Sequence, residues 1–493
     1  MSGWSHRITA RVRWIVAIAT SMVAPVAVSC PLHSTEVIHS SDFSSCERNQ
    51  SAFIALDDDV MVDGTSAQTI LSHTLNLSDP LRIVVIADGR YFPVDAPAGT
   101  VRIRVNGSDQ FSSIPVTDWG SSQRPVMHGF NVLAVADLGP GPHLIELSAN
   151  ADPSRPGRFK LGSGSGLSVL VQPLSQIFLA SLPGESSPID LTTYDPGNGI
   201  DVNEGDLDRP FVPLLSNGVS NRSGRPTMAI SLASGRGFNA CDSGIDNGFG
   251  DALLGIFSDG LCQSTHNAAW GVNDLDPDAE LQAAMTAQAV HLLVPGQHRQ
   301  ISLIGSELAF GSDQAGSASG AHENGVCWGL GSAQLVTAHA GAVAGAAPVG
   351  PEQLCSTYTW RCVATTIGQP GCPPAGTNVT LTSAQIAIPV GHDGIVQFNA
   401  RTRIQADNAD GFATIILGLK IDGNEVGAVG VQQLAAGAGQ ASRTLSASYL
   451  SAPLSPSGTL ATGLHTVEVY LRVEGALLNF PSAPQDLALT WFD

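Results

Sequence analysis

At 493 residues, 43% of them apolar and 13% charged, the chain is long enough for about three cores and too apolar for wholesale disorder. Its 53 glycines and 30 prolines favour short strands and turns over long helices. Acidic residues outnumber basic ones by 43 to 23, Lys160 and Lys420 are the only lysines, and the net charge of −20 keeps the chain soluble and excludes a broad nucleic-acid-binding surface.

In chain order, Arg7, Arg11 and Arg13 precede a mostly apolar run from Trp14 to Val28. Ala27 and Ser29 then place small residues three and one positions before Cys30. Charged, apolar and small zones in that order read as a signal peptide over residues 1–29. Fifteen apolar residues are short for a bilayer, and no later stretch is long and apolar enough to cross one. The mature chain is therefore expected to be extracellular or in the cell envelope, with no transmembrane helix. The "AVSC" ending at Cys30 resembles a bacterial lipobox, with Ala27 where leucine is usual, and the resemblance implies lipidation of Cys30. The eight cysteines are Cys30, Cys46, Cys241, Cys262, Cys327, Cys355, Cys362 and Cys372. They allow four disulfides if Cys30 pairs and leave one thiol over if it is lipidated.

From residue 51 onward one phrase recurs: "GPHLIELSA" from Gly141, "GQHRQISLI" from Gly296 and "GLHTVEVYL" from Gly463. Upstream of each lies a strand ending in a polar-Gly turn, "VRIRVNG", "LLGIFSDG" and "ILGLKIDG", separated from its histidine by 36, 38 and 42 residues. Before each turn comes an apolar run ("LRIVVIADG", "PTMAISLASG", "GIVQFNARTRI"), and after each histidine strand comes a closing one ("GLSVLVQP", "AQLVTAHA", "DLALTWF"). This order predicts three tandem copies at 51–173, 208–345 and 375–493, joined by an acidic linker at 174–207 and a Cys/Pro-rich linker at 346–374. Inside each copy the period is two: Val467, Val469 and Leu471 alternate with Thr466, Glu468 and Tyr470. Several such strands between Asn-Gly and Asp-Gly turns predict an all-β protein of three antiparallel sandwiches. His143, His298 and His465 are expected at one place in all three, each at a strand's entry and bonded to a local backbone. Ile301, Leu303, Val467 and Val469 are expected to face a core, and Leu144, Arg299 and Thr466 the rim.

These modules resemble the jelly-roll sandwiches of carbohydrate-binding modules, phage tail fibres and the C1q/TNF-like group, over most of residues 51–493. The resemblance implies glycan binding, packing as trimers or a spacer role, and transfers no binding residue.

Chemical signatures are sparse. The chain has no P-loop, no His-Glu-x-x-His and no Gly-x-Ser-x-Gly elbow. His322, Glu323 and Cys327 match no common zinc spacing. The acidic linker "YDPGNGIDVNEGDLD" carries Asp195, Asn198, Asp201, Asn203, Glu204, Asp206 and Asp208, oxygen donors of the kind calcium takes, outside the EF-hand spacing. Calcium is thus the candidate cofactor, and a solvated linker is the alternative that carries more weight. A Cys241–Cys262 bridge across a hairpin is expected to add about 3 kcal/mol to the middle copy, and Cys355 and Cys362 flank a loop short enough to close. Two functional classes follow. The first is a non-enzymatic surface or secreted protein that binds glycan or protein, adheres, or acts as a spacer. The second is a secreted carbohydrate-active enzyme with carboxylates on distant strands. The first is preferred, because aromatic residues are only 6% of the chain and offer few sugar-stacking platforms.

Overall fold

The structure is a computed structural model. It describes residues 50–94, 99–113, 127–151, 153, 157–172, 177–181, 200–202, 212–222, 224, 226–238, 249–259, 261–271, 282–307, 326–328, 333–339, 344–348, 360–362, 374–391, 394–406, 413–434, 441–475, 481–484 and 488–492. Residues 40–493 belong to one compact unit. Among the described residues there is no helix, and the strands pair antiparallel.

The first ten strands are β1 (Ala52–Ala55), β2 (Val60–Val62), β3 (Gln68–Leu77), β4 (Leu81–Pro93), β5 (Gly99–Val105), β6 (Ser108–Ser113), β7 (His128–Leu138), β8 (Gly141–Ala151), β9 (Phe159–Leu161) and β10 (Gly166–Gln172). The next ten are β11 (Ile177–Ser181), β12 (Ile200–Val202), β13 (Val212–Ser220), β14 (Thr227–Phe238), β15 (Phe249–Ser258), β16 (Leu261–Gly271), β17 (Gln282–Leu293), β18 (His298–Glu307), β19 (Val326–Trp328) and β20 (Ala333–His339). The last ten are β21 (Ala344–Pro348), β22 (Trp360–Cys362), β23 (Asn378–Ile388), β24 (Val396–Ala406), β25 (Ala413–Ile421), β26 (Asn424–Leu434), β27 (Ala441–Ser451), β28 (Gly463–Gly475), β29 (Pro481–Pro484) and β30 (Ala488–Phe492).

The same pairing recurs every ten strands. One sheet of each set runs β3-β8-β5-β6, β13-β18-β15-β16 or β23-β28-β25-β26. The facing sheet centres on β4, β14 or β24, with the seventh strand of its set on one side and the tenth, then the first, on the other. Further along the central strand, the ninth strand takes the place of the tenth beside it, and the second pairs with the ninth. In the first set the two sheets enclose a core of Ile83, Val85, Val132 and Ala134 from one and Val101, Ile103, Ile145 and Leu147 from the other. Alternate residues of each strand supply it, as the two-residue period requires.

The segments expected as linkers carry strands. Residues 174–207 contain β11 and β12, and residues 346–374 contain β22 and the end of β21. These strands are three to five residues long, too short to display an alternating pattern among the prolines and glycines around them.

In "LRIVVIADG" the odd positions Ile83, Val85 and Ala87 enter the first core. The even positions Val84 and Ile86 enter a second cluster with Leu133, Val135, Ile230, Leu232 and the core of the third set. A strand buried on both faces needs apolar residues at consecutive positions, which is why this run does not alternate. The outer faces of the sheets centred on β4, β14 and β24 are covered by the neighbouring sandwiches. Strand β7 touches β14 and β20, β17 touches β24 and β30, β27 touches β4 and β10, and β7, β17 and β27 touch one another. Each set meets the next through the same pair of surfaces, and the third contact returns to the first set. That is a closed head-to-tail ring within one chain.

Polar groups fix the seams. Gln433 N–H donates to Met127 O at 2.7 Å, and Met127 N–H donates to Gln433 Oε1 at 2.9 Å. Between the second and third sets, Arg401 donates to Gln288 Oε1 at 3.1 Å and Gln288 Nε2 donates to Asn399 O at 3.2 Å. The two sheets there become continuous at one residue pair, Ala269 opposite Ser442. Phe53 of the first set lies edge-on to Tyr449 of the third at 5.1 Å, and its N–H donates to Ser455 Oγ at 2.9 Å. Gly129 is needed at this seam, since a Cβ there would stand 3.0 Å from Val431 O.

Candidate functional site

The recurrent glycine-histidine turns lie where the seventh strand of each set hands over to the eighth. Opposite each lies the tight turn between the fifth and sixth strands. Its corner residue is Asn106, Asp259 or Asp422, with φ of 52°, 50° and 50°. Asn and Asp tolerate that left-handed conformation better than other non-glycine residues, and Gly107 and Gly423 follow with φ of 79° and 83°. The corner side chain also accepts a backbone N–H from the eighth strand: Leu144 to Asn106 Oδ1 at 2.9 Å, Gln300 to Asp259 Oδ1 at 3.0 Å, and Thr466 to Asp422 Oδ1 at 2.8 Å. One side chain thereby shapes its own turn and pins the neighbouring strand.

His465 sits over this corner in the third set. Its Nδ1 is 2.7 Å from Asp422 Oδ2 and its Nε2 is 2.8 Å from Ala461 O. Both partners are acceptors, so both ring nitrogens donate and the imidazole is held protonated. Burial lowers its pKa, but the Asp422 hydrogen bond, the Ala461 carbonyl and the Asp422 charge outweigh that and raise it overall. His143 makes the same arrangement in the first set with an amide in place of the carboxylate: Nδ1 lies 2.9 Å from Asn106 Nδ2 and Nε2 lies 2.7 Å from Gly139 O. Asn106 Oδ1 already accepts the Leu144 N–H, so Nδ2 donates to the ring. Nδ1 of His143 is thus the acceptor and Nε2 the donor to Gly139 O.

The middle set departs from the expected equivalence. Counting back from the core residues Ile145, Ile301 and Val467, the place of His143 and His465 is taken by Arg299, whose Nε lies 4.0 Å from Asp259 Oδ2. His298 is one residue earlier, exposed, with Nδ1 2.8 Å from Ser220 Oγ. A one-residue offset sends a side chain to the other face of a strand. Arg299 and Thr466 are half-buried at the rim and Leu144 is exposed, while Ile301, Leu303, Val467 and Val469 are buried. These three corners are braces: each ties a turn to a strand.

Cys30, Asp195, Asn198, Asn203, Glu204, Asp206, Asp208, Cys241 and Cys355 lie outside the described residues. Asp201 falls in β12, opposite Cys327. Cys262 is in β16 opposite Phe257, at the closing end of β15, whereas Cys241 precedes the opening of that strand. Cys362 is in β22, opposite Ser482. Among the described residues no three His, Cys, Asp or Glu side chains gather as a metal site. No helix there is long and apolar enough to cross a membrane, which says nothing of a β-barrel.

A further polar group, which sequence reading missed, lies where the three sandwiches meet. Asn131 of β7, Thr286 of β17 and Ser446 of β27 stand opposite Asp88, Ser234 and Arg401 on the central strands. Asp88 accepts from Asn131 Nδ2 and from Ser446 Oγ, so it is bonded from both its own and the third set. Arg401 is wholly buried; desolvation lowers its pKa to about 10, and the Asp88 charge opposes that shift. The signal in the sequence was a charged or polar residue within an otherwise apolar run, as in "IVVIADG".

No family model matches the sequence, and no curated protein matches it. Among solved structures the chain has a likeness to the N-terminal tandem CBM22 domains of Xyn10C from Paenibacillus barcinonensis, at 13% identity over 58% of this chain and 93% of that one, with a TM-score of 0.14. It has another to PNGF-II, at 9% identity over 82% and 99% and a TM-score of 0.22. A third is to the lipid-containing bacteriophage PM2, at 10% identity over 90% and 99% and a TM-score of 0.15. Likenesses this weak carry no argument about what the chain does.

Proposed function

We propose that the chain is an exported surface or secreted protein that works by binding, through the turns at one end of a rigid three-sandwich ring, and not by catalysis. The observation that supports this reading is the fate of the outer sheet faces. Val84, Ile86, Leu133, Ile230 and Leu232 sit on those faces, yet all are buried between sandwiches. The outer faces of the sheets centred on β4, β14 and β24, which could have walled a cleft between modules, hold the modules together instead, and the turns and the opposite sheets remain for a partner. The end that bears the glycine-histidine turns exposes Leu144, Val294, Val390, Leu454 and Leu464 from all three sets. Exposed apolar side chains on turns are features that glycan or surface-protein partners use. The signal-like N-terminus supports export.

The test is a binding screen of the mature chain against immobilised glycans and intact cells, paired with Leu144→Ser, Val390→Ser and Leu464→Ser. Saturable binding that these changes weaken at least about tenfold, roughly 1.4 kcal/mol, is the expected outcome. Turnover of a polysaccharide by the purified chain, abolished by a single carboxylate substitution, would replace this reading with the glycosidase one.

A further inference from the structure

We infer that the junction of the three sandwiches is a binding site for one water molecule, held by one hydrogen bond to each set. Asn131, Thr286 and Ser446 occupy matching positions on β7, β17 and β27, and all three line one cavity together with Gly129, Phe130, Gly430 and Leu445. The cavity offers about 10 Å³ for a water's centre, close to the space of a single molecule. The lining side chains are only 3%, 3% and 8% exposed. Two of them reach the site with hydrogen-bonding capacity unspent: Asn131 Oδ1 and Thr286 Oγ1 are buried with no partner in the protein. Buried polar atoms left without a partner cost stability unless something pairs with them.

The donor-acceptor count selects the ligand. One Asn131 Nδ2 hydrogen and the Ser446 hydroxyl proton are committed to Asp88. Asn131 Oδ1 and the Ser446 Oγ lone pairs are therefore acceptors, and the Thr286 hydroxyl is free to turn as a donor. An occupant must give two hydrogens and take one. Water does that and makes the roughly three bonds usual for a buried water. A cation would meet three oxygens, but the Asp88 charge already has a counter-charge in the wholly buried Arg401, so nothing here asks for a second one. The water adds Thr286 of β17 to the β7–β27 link that Asp88 already makes, and so ties all three sets at one point.

A crystal structure of the full chain at high resolution, with a second crystal grown in thallium, tests the site directly. One water within hydrogen-bond distance of Asn131 Oδ1, Thr286 Oγ1 and Ser446 Oγ supports the inference; a dry cavity or an anomalous thallium peak overturns it. In solution, Thr286→Val should speed amide exchange in β7, β17 and β27 together by about fivefold to tenfold, and Thr286→Ser should restore it. Exchange that rises in β17 alone, or that serine fails to restore, marks a purely local packing effect and counts against the water. If the valine variant does not fold, the serine variant and the crystal density still decide.

Discussion

Two histidines at the rim and core of this fold answer to pH with opposite sign, because their surroundings favour opposite forms. His291 is 1% exposed, and its Nε2 lies 2.9 Å from Ser231 Oγ. Burial first, and the Arg299 charge second, push its pKa down to about 4 from an ordinary 6.5. The folded state thus keeps it neutral where the unfolded chain would already take a proton. Its contribution is complete above pH 6.5 and is lost as pH falls toward 4, on the order of 3 kcal/mol in all. His465, raised by Asp422, favours folding below its ordinary pKa and loses that contribution as pH rises through the raised value. Denaturant titrations from pH 7 to 4 should show the loss, and His291→Gln should flatten it. An unchanged slope in the variant would show that His291 is not the group responsible.

At the scale of the element, the central strands carry two hydrophobic faces, and substitution can tell them apart. Val85 faces the core of the first sandwich, and Ile86 faces its neighbours. Were the sandwiches merely strung together, Ile86→Ala would touch an exposed site and cost within about 0.5 kcal/mol. In the ring it opens a cavity and should cost about 2–5 kcal/mol, as a core substitution does. Equilibrium unfolding of Ile86→Ala beside Val85→Ala checks this, and a negligible loss at Ile86 would argue against the closed ring. The continuous run "LRIVVIADG" made that burial legible in the sequence. The polar "QFNAR" stretch of β24 did not, because there Gln397, Asn399 and Arg401 are buried, Gln397 bonded to Asn399 within the strand and Asn399 and Arg401 bonded to Gln288 across the seam.

For the whole molecule, the head-to-tail contact is satisfied three times inside one chain. A separate jelly-roll copy offering such a patch would have to recruit two more; here both patches of every set are occupied by the other sets. The full chain should therefore run as a monomer across a hundredfold concentration range in light scattering coupled to gel filtration. A trimer of chains would mean that the patches are exchanged between molecules, and the intramolecular ring would be wrong.

The sequence by itself determined the strands, their two-residue period, the corners at Asn106, Asp259 and Asp422, and the threefold recurrence of the module. All of these depend on neighbours within a few residues: alternation follows from one wet and one dry face, and a left-handed corner selects Asn, Asp or Gly. The tertiary structure decided the rest. Short strands such as β12 and β22 exist only because distant short strands, β19 and β29, give them an edge to bond, so their own residues read as linker. Arg299, not His298, takes the brace position because register is fixed by which side chains enter the core, and the "GxH" phrase does not report that. The closure of three sandwiches, and the meeting of Asn131, Thr286 and Ser446 that closure creates, join residues more than 300 positions apart. No local pattern can encode such a meeting, because each of the three is an ordinary polar residue until its two neighbours arrive.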